Sequence, residues 1–302
     1  MTRNATLRPI VFGEVLFDVF PDGGKKLGGA PFNVAWHLQG FGLAPVMISR
    51  IGRDAHGEEI LATMYEWGMD VQGIQIDEDT PSGEVQVKFS GGEPSYDILP
   101  QRAYDNLEWG TVRKVIDSTD GALLYHGSLI ARGVQSASTL SKAIESVSYP
   151  VFMDVNLRPK CWTIESVTDL LATARWVKLN HEELEVLSQE QGDEAEQVAS
   201  LKKRFNLHTV IVTRGSRGAV LYPDQGEALH QAPQPVTDIK DTVGAGDAFA
   251  AVMILSFLRG WDLRDGLSRA VEFAAQVCRV QGALVRDKSM FEEFRNKWEM
   301  QR

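Results

Sequence analysis

A chain of 302 residues, 43% of them hydrophobic, holds enough apolar material for a large buried core. With 31 Lys plus Arg against 41 Asp plus Glu, its formal net charge is −10. Such a surface repels phosphate backbones and anionic lipid, which sets aside nucleic acid and membranes as partners but not a small anionic substrate. The two cysteines, Cys161 and Cys278, are far apart and have no partner at metal-ligand spacing, so a disulfide frame and a zinc site are excluded and a reducing compartment is expected. No apolar run approaches about eighteen residues, and "MTRNATLRPIVFGEV" lacks a secretory apolar segment, so the expected location is cytoplasmic.

In chain order, "PIVFGEVLFDVF" reads as a strand that passes Gly13 and continues as another. "APFNVAWHLQGFG" has helical spacing, with Pro31 near its first turn and Gly40 past its end. The strand "VMISRIG" and the helix "HGEEILATMYEWG" follow. Later, "ALLYHGSLI", "VFMDVNL", "WVKLN" and "TVIVTRG" are short β-rich runs separated by helix-like stretches. This alternation predicts an α/β fold, a mostly parallel sheet with helices on both faces. The near-continuous apolar run Val151 to Val155 fits a strand buried on both sides.

Two stretches break the rhythm, at about residues 15–30 and 81–104. Both alternate polar and apolar residues, with turns at Pro21-Asp22-Gly23-Gly24 and at Gly91-Gly92, and read as strands with one wet face. Together they form either a small β-rich lid over an active site or an extension of the sheet edge. No repeat or linker divides residues 1–302, so a single domain is expected.

The stretch "KDTVGAGDAF" is the chemical focus. The apolar periodicity after Asp247 predicts a helix beginning near Ala245 or Gly246. The first amides of a helix lack intrahelical acceptors and point outward at the positive end of its dipole. Gly244 and Gly246 leave the backbone open, so an anionic group can approach it. Asp247, in the first turn, is either a plain helix-starting acid or a base that takes the proton from an attacking hydroxyl. In a loose phosphoryl transfer the hydroxyl loses its proton late, so a carboxylate suffices.

"DTVGAGDAF" resembles the C-terminal signature of the ribokinase-like (PfkB) carbohydrate kinases, and "GGAPFNVAWHLQGFG" resembles their N-terminal glycine signature. "GEVLFD", "IGRDAHGEEI", "PSGEVQV", "DVNLRP", "KLNHEE" and "VTRGSRGAVLY" match in the same order, from about Gly13 to Gly282. Among subfamilies the chain looks most like bacterial fructokinases. The resemblance implies a ribokinase-like fold and an ATP-dependent kinase that phosphorylates a primary hydroxyl of a monosaccharide, fructose first. A 2-keto-3-deoxygluconate kinase and a non-catalytic sugar- or nucleotide-binding regulator are the alternatives.

By the same resemblance Asp247 is the general base, and the amides of Gly244, Ala245 and Gly246 form the anion hole. Arg158 neutralises the transferring phosphate or, alternatively, bridges strand ends. Asp18, Gly28, Gly29 and Asn33 hold the sugar. Asn180 and Glu183 are linked to magnesium and phosphate through water, although Asn-x-x-Glu is also a common helix cap. Thr213, Gly215 and Gly218 match the loop beneath the nucleotide. Asp241 and the Val243 carbonyl match a monovalent-cation site, implying potassium, or Asp241 caps a turn. The implied ligands are therefore a sugar, ATP, Mg2+ and K+, with a homodimer through the lid.

Several positions depart from the pattern. Leu16 replaces an Asn that contacts ribose in ribokinases, which counts against ribose. Phe32 stands where many fructokinases carry a small residue and is expected to narrow or reshape the sugar pocket. His126, at a strand end, borders the sugar or belongs to the core. Lys88 and Arg102 are the lid's candidates for a phosphosugar. There is no GxxxxGK[ST], and no GxGxxG follows the first strand.

Overall fold

The computed structural model describes residues 8–90 and 93–299; the expected Gly91-Gly92 turn lies outside them. The strands are, in chain order, β1 (Arg8–Phe12), β2 (Leu16–Val19), β3 (Lys25–Gly28), β4 (Val46–Gly52), β5 (Ile74–Asp77), β6 (Gly83–Ser90), β7 (Glu93–Ile98), β8 (Gly121–Gly127), β9 (Val151–Asp154), β10 (Trp176–Asn180), β11 (Thr209–Thr213), β12 (Ala219–Tyr222) and β13 (Leu229–Gln231). Nine form one sheet in the order β13-β12-β11-β10-β9-β8-β1-β4-β5. It is parallel from β11 to β5, and β12 and β13 close one edge antiparallel.

Side chains alternate across this sheet with a period of two, so each strand feeds both faces. Val11, Met47, Leu123, Tyr125, Phe152 and Ile211 point into the larger core. Their neighbours Ile10, Phe12, Val46, Ile48 and Leu124 point the other way. Helices α1 (Ala30–Gly40) and α2 (Ala55–Trp67) cover the first face. Helices α3 (Trp109–Asp117), α4 (Val134–Glu145), α5 (Ile164–Leu171), α6 (His181–Ser188) and α7 (Glu194–Phe205) cover the second. Helices α8 (Ala245–Arg259), α9 (Leu263–Val277) and α10 (Lys288–Glu299) return to the first. The fold is the α/β, ribokinase-like one expected. Gly40 lies inside α1 rather than past its end; glycine is needed there for packing, since a Cβ would lie 2.5 Å from the Phe291 ring. The left-handed turn comes two residues later, at Gly42 with φ 82°.

The two irregular stretches pair with each other. They make a four-stranded sheet in the order β3-β2-β6-β7, joined by the parallel pairing of β2 with β6 and register Leu16↔Gly83 to Val19↔Gln86. The pairs β2–β3 and β6–β7 are antiparallel. Because β2 follows β1 and β6 follows β5, this small sheet rises from the carboxyl ends of the parallel strands. Helix α8 begins at the same end, behind Gly244 at φ 81°.

Candidate active site

Under the small sheet lies a cavity of about 490 Å³. Asp18, Gly28, Gly29, Asn33, Arg158, Asp241, Val243, Gly244, Gly246 and Asp247 all line it, so the structure gathers most of the expected site residues. A larger cavity of about 1780 Å³ opens beyond β7 and shares Tyr96, Ile98 and Arg158 with it. Ala245 is the first residue of α8 but does not line the smaller cavity.

Two constraints make the start of α8. Gly244 is left-handed, and a Cβ there would lie 2.5 Å from the Ala283 side chain. Both conformation and space therefore demand glycine. At Gly246 a Cβ would meet only the Lys178 ammonium, at 3.5 Å. The helix has no side-chain cap. The Ala245 amide donates to the Thr242 carbonyl at 3.3 Å, whereas the amides of Gly244, Gly246 and Asp247 have no acceptor among the described residues and stay available to a ligand, in a region the dipole makes attractive to anions.

Asp247 sits in the first turn and is half-buried. Its Oδ2 accepts a hydrogen bond of 2.7 Å from Nδ2 of Asn33 on α1. Burial pushes its carboxyl up to about 6; Asn33 pulls it down, the Asp154 charge adds to the rise, and Lys178 and Arg158 oppose it. The acid is therefore poised close to neutral pH, where a general base works well. The Asn33 Oδ1 is buried without a partner among the described residues. It lies 3.6 Å from where a Gly28 side chain would begin.

Beneath Gly246, Lys178 of β10 and Asp154 of β9 form a buried ion pair, with Nζ 2.8 and 2.7 Å from the two carboxylate oxygens. They are register partners on adjacent strands. Tyr125 donates to the same carboxylate at 3.1 Å. Sequence reasoning missed this pair. The available signal was one charge inside each of two apolar runs, "VFMDV" and "WVKLN", but pairing them needed the register.

On the small sheet, Asp18 faces the cavity. Burial raises its carboxyl and the positive charges of Arg158 and Lys26 oppose the rise. Neither the Asp18 nor the Arg158 side chain has an ion-pair or hydrogen-bond partner among the described residues. The salt bridge across strand ends considered for Arg158 is thus not formed. The cross-strand neighbour of Asp18, Lys26, instead reaches Asp241 at 3.6 Å. Asp241 caps its turn, accepting from the amides of Val243 at 3.1 Å and Gly282 at 3.0 Å.

The remaining expected residues lie at the ends of β10 and β11 and do not line the cavity. Asn180 and Glu183 form a capping box on α6, with bonds of 2.9 and 2.8 Å. The second Glu183 oxygen accepts from the Leu157 amide at 2.7 Å and so braces the loop that carries Arg158. Thr213 reaches the Leu179 carbonyl at 3.5 Å. Gly215 is left-handed with open space where a side chain would point. Gly218 is required by packing, since a Cβ there would fall 2.0 Å from the Gln231 carbonyl oxygen.

One reading needs correction. Phe32 does not border the cavity. It is fully buried in the core against Trp36, because it is the next residue along the helix from the cavity-facing Asn33 and so points about 100° away from it. Of the two alternatives for His126, the core is the one found: it is fully buried and its Nδ1 donates to the Gly127 carbonyl at 2.9 Å. Burial lowers its pKa to about 4.

A helix start walled by glycine, with an acid beside it at the carboxyl ends of parallel strands, has the geometry that phosphoryl transfer to an alcohol requires. The profile described as pfkB family carbohydrate kinase matches residues 15–288. An uncharacterized sugar kinase of Pyrococcus horikoshii, PH1459, is 30% identical over 249 residues, 79% of this chain and 76% of that protein. Its ATP complex superposes with a TM-score of 0.78 at 25% identity, covering 91% of this chain and 94% of that one. A fructokinase of Salmonella typhimurium is 29% identical over 259 residues, 82% of this chain and 83% of that protein. The chain belongs to the pfkB family of carbohydrate kinases and is an ATP-dependent sugar kinase.

Proposed function

We propose that the chain is a fructokinase, transferring the γ-phosphoryl group of ATP to a primary hydroxyl of fructose. The observation that carries this is Asp247. It is held by Asn33 at the open start of α8 and shares one cavity with the unpartnered carboxylate of Asp18. A carboxylate accepts from two neighbouring sugar hydroxyls, which suits Asp18 to a polyol. Asp247 then takes the hydroxyl proton as the oxygen–phosphorus bond forms and the bond to ADP breaks. The amides of Gly244, Ala245 and Gly246 receive the negative oxygens of the moving group, with Arg158 nearby.

Thr213, Gly215 and Gly218, at the ends of β11 and β12, support a nucleotide on that side of the sheet. Among the described residues no three His, Cys, Asp or Glu side chains gather as a metal site. Mg2+ would be carried on the nucleotide phosphates, where it would supply charge neutralisation, and Glu183, whose two oxygens each accept an amide, would approach it through water on its remaining lone pairs. Asp241 spends both oxygens on amides, so its part in a potassium site rests on the remaining lone pairs and the Val243 carbonyl. The single-domain reading, with residues 15–30 and 81–104 as lid, has its support in the joint small sheet. Its outer strands β3 and β7 would give a second copy edges to pair with.

Phosphorylation of 2-keto-3-deoxygluconate is the second reading. The unpartnered Arg158 and nearby Lys26 offer positive charge to a sugar acid. An ADP-release assay with fructose, 2-keto-3-deoxygluconate, ribose, nucleosides and fructose 6-phosphate decides. The expected order places fructose first in kcat/KM. A higher value for the sugar acid transfers the assignment to it, and binding without turnover of any sugar points to a regulator.

A further inference from the structure

Glu14 is an acid that the mechanism above leaves unused. It follows Gly13 at the carboxyl end of β1, where the sheet order reverses, with β4 on one side and β8 on the other. Ligands of open α/β sheets bind at such a reversal. Glu14 is only 3% exposed, yet it lines the 490 Å³ cavity together with Asp18, Asn33 and Asp247. Its Oε2 is buried and has no hydrogen-bond partner among the described residues. Buried polar atoms are nearly always paired, and one left open in a cavity awaits a ligand or water. The backbones of Gly29 and Glu14 pack closely here: a Cβ on Gly29, at φ 109°, would lie 2.7 Å from the Glu14 carbonyl oxygen.

The charged and titratable groups facing this carboxyl come from several elements. They are Arg158 after β9, Asp247 on α8, Arg132 after β8, and the phenols of Tyr104 and Tyr125. Arg132 is already committed to the Asp105 carboxylate and the Leu99 carbonyl. Tyr125 donates to Asp154. Burial pushes the Glu14 carboxyl up to about 7 with help from the Asp247 charge, while its own amide and the two arginines oppose the rise. A carboxyl that carries its proton donates one hydrogen bond and still accepts another, whereas ionised Asp18 and Asp247 only accept.

We propose that Glu14 is a specificity-determining residue that donates a hydrogen bond from its carboxyl group to an oxygen of the acceptor sugar. This role rests on the reading of the cavity as a sugar site. Sugars are rich in oxygens that accept, and among the acids lining this cavity a protonated Glu14 is the one placed to donate to such an oxygen, beside the cationic donors Arg158 and Lys26. A site built around such a donor discriminates against analogues that lack the matching oxygen.

Initial rates and fructose calorimetry on the full chain, from pH 6 to 8.5, test it in wild type, Glu14→Leu and Glu14→Gln. Leu keeps the volume and removes the hydrogen bond. It should raise the fructose KM and Kd roughly 10–100-fold, leave the ATP KM within about twofold, and not lower Tm, since an apolar group replaces a buried unpaired one. Gln keeps a donor and should raise the fructose KM by no more than about fivefold. Wild-type fructose KM should climb as the pH passes 7, because the donor is lost there, while that of Glu14→Gln stays flat. A fructose KM unchanged in Glu14→Leu overturns the role, as does a Gln variant as impaired as Leu, or a wild-type KM that falls as pH rises. If Leu does not fold, the Gln comparison and the pH profile still decide. Wild type that neither binds nor phosphorylates any sugar is a separate result: it removes the sugar site itself, and this role with it.

Discussion

Helices α6 and α8 begin in the same way on paper, each with an acid at its third position. At α6 the Glu183 carboxylate folds back, closes a capping box with Asn180 and spends its other oxygen on Leu157. At α8 the position before the helix is glycine, which has no side chain to cap with, and Asp247 turns to Asn33 and the cavity. The first helix start is capped by its own side chains; the second spends the Ala245 amide on the Thr242 carbonyl and keeps those of Gly244, Gly246 and Asp247 open. An acid at a helix start signals chemistry only where the local backbone has left its donors unused.

The comparison breaks first at Asp247. Replacing it by Asn should lower turnover by about 10²–10⁴ while sugar and ATP affinities stay within a few-fold. Unchanged turnover would remove it from the chemistry. In the wild type, kcat/KM should fall as the pH drops through about 6, where the base takes up its proton. The sign for stability is opposite. The folded chain holds that proton up to about pH 6 and the unfolded chain releases it near 3.8, so stability falls as pH rises between these values. Asp247→Asn should therefore raise stability by about 1–2 kcal/mol at pH 8, discounted for partial exposure, and by nothing at pH 3.5. Thermal melts at the two pH values check this.

Gly244→Ala should cost about 10²–10³ in kcat with a lowered Tm, since the added methyl meets Ala283 and strains a left-handed residue. A variant with wild-type rate would show that the helix start can reshape without loss. The smallest effect belongs to α6: Asn180→Ala should remove about 1 kcal/mol of cap stability and lower turnover by less than about tenfold, through the loop that Glu183 braces. A loss as large as that of Asp247→Asn would erase the distinction between the two helix starts.

The layered fold was legible because short near-continuous apolar runs such as Val151–Val155 and longer helical runs such as Ala248–Leu255 alternate along the chain. The turn at Gly244 was legible because two glycines flanking a helix start have few other uses. What was not legible depended on register and distance. Asn33 reaches Asp247 across 214 positions of sequence, and Lys178 meets Asp154 only because β9 and β10 pair in one particular alignment. Phe32 was misplaced for a local reason: one step along a helix turns a side chain by about 100°, enough to carry it from cavity to core. Glu14 was passed over because its neighbours in sequence are apolar, while the atoms that leave it unpaired come from elsewhere in the fold.

The Lys178–Asp154 pair bears on how the enzyme releases what it has made. A lone ammonium beneath the glycines would act as a monopole, drawing phosphate from afar and holding the product as tightly as the reactant. Bound to its carboxylate, Lys178 contributes a dipole, whose potential fades with the square of distance instead of its first power. The share of the attraction that comes from Lys178 is then short-ranged, and the unpartnered Arg158 is left as the longer-ranged positive charge of the cavity.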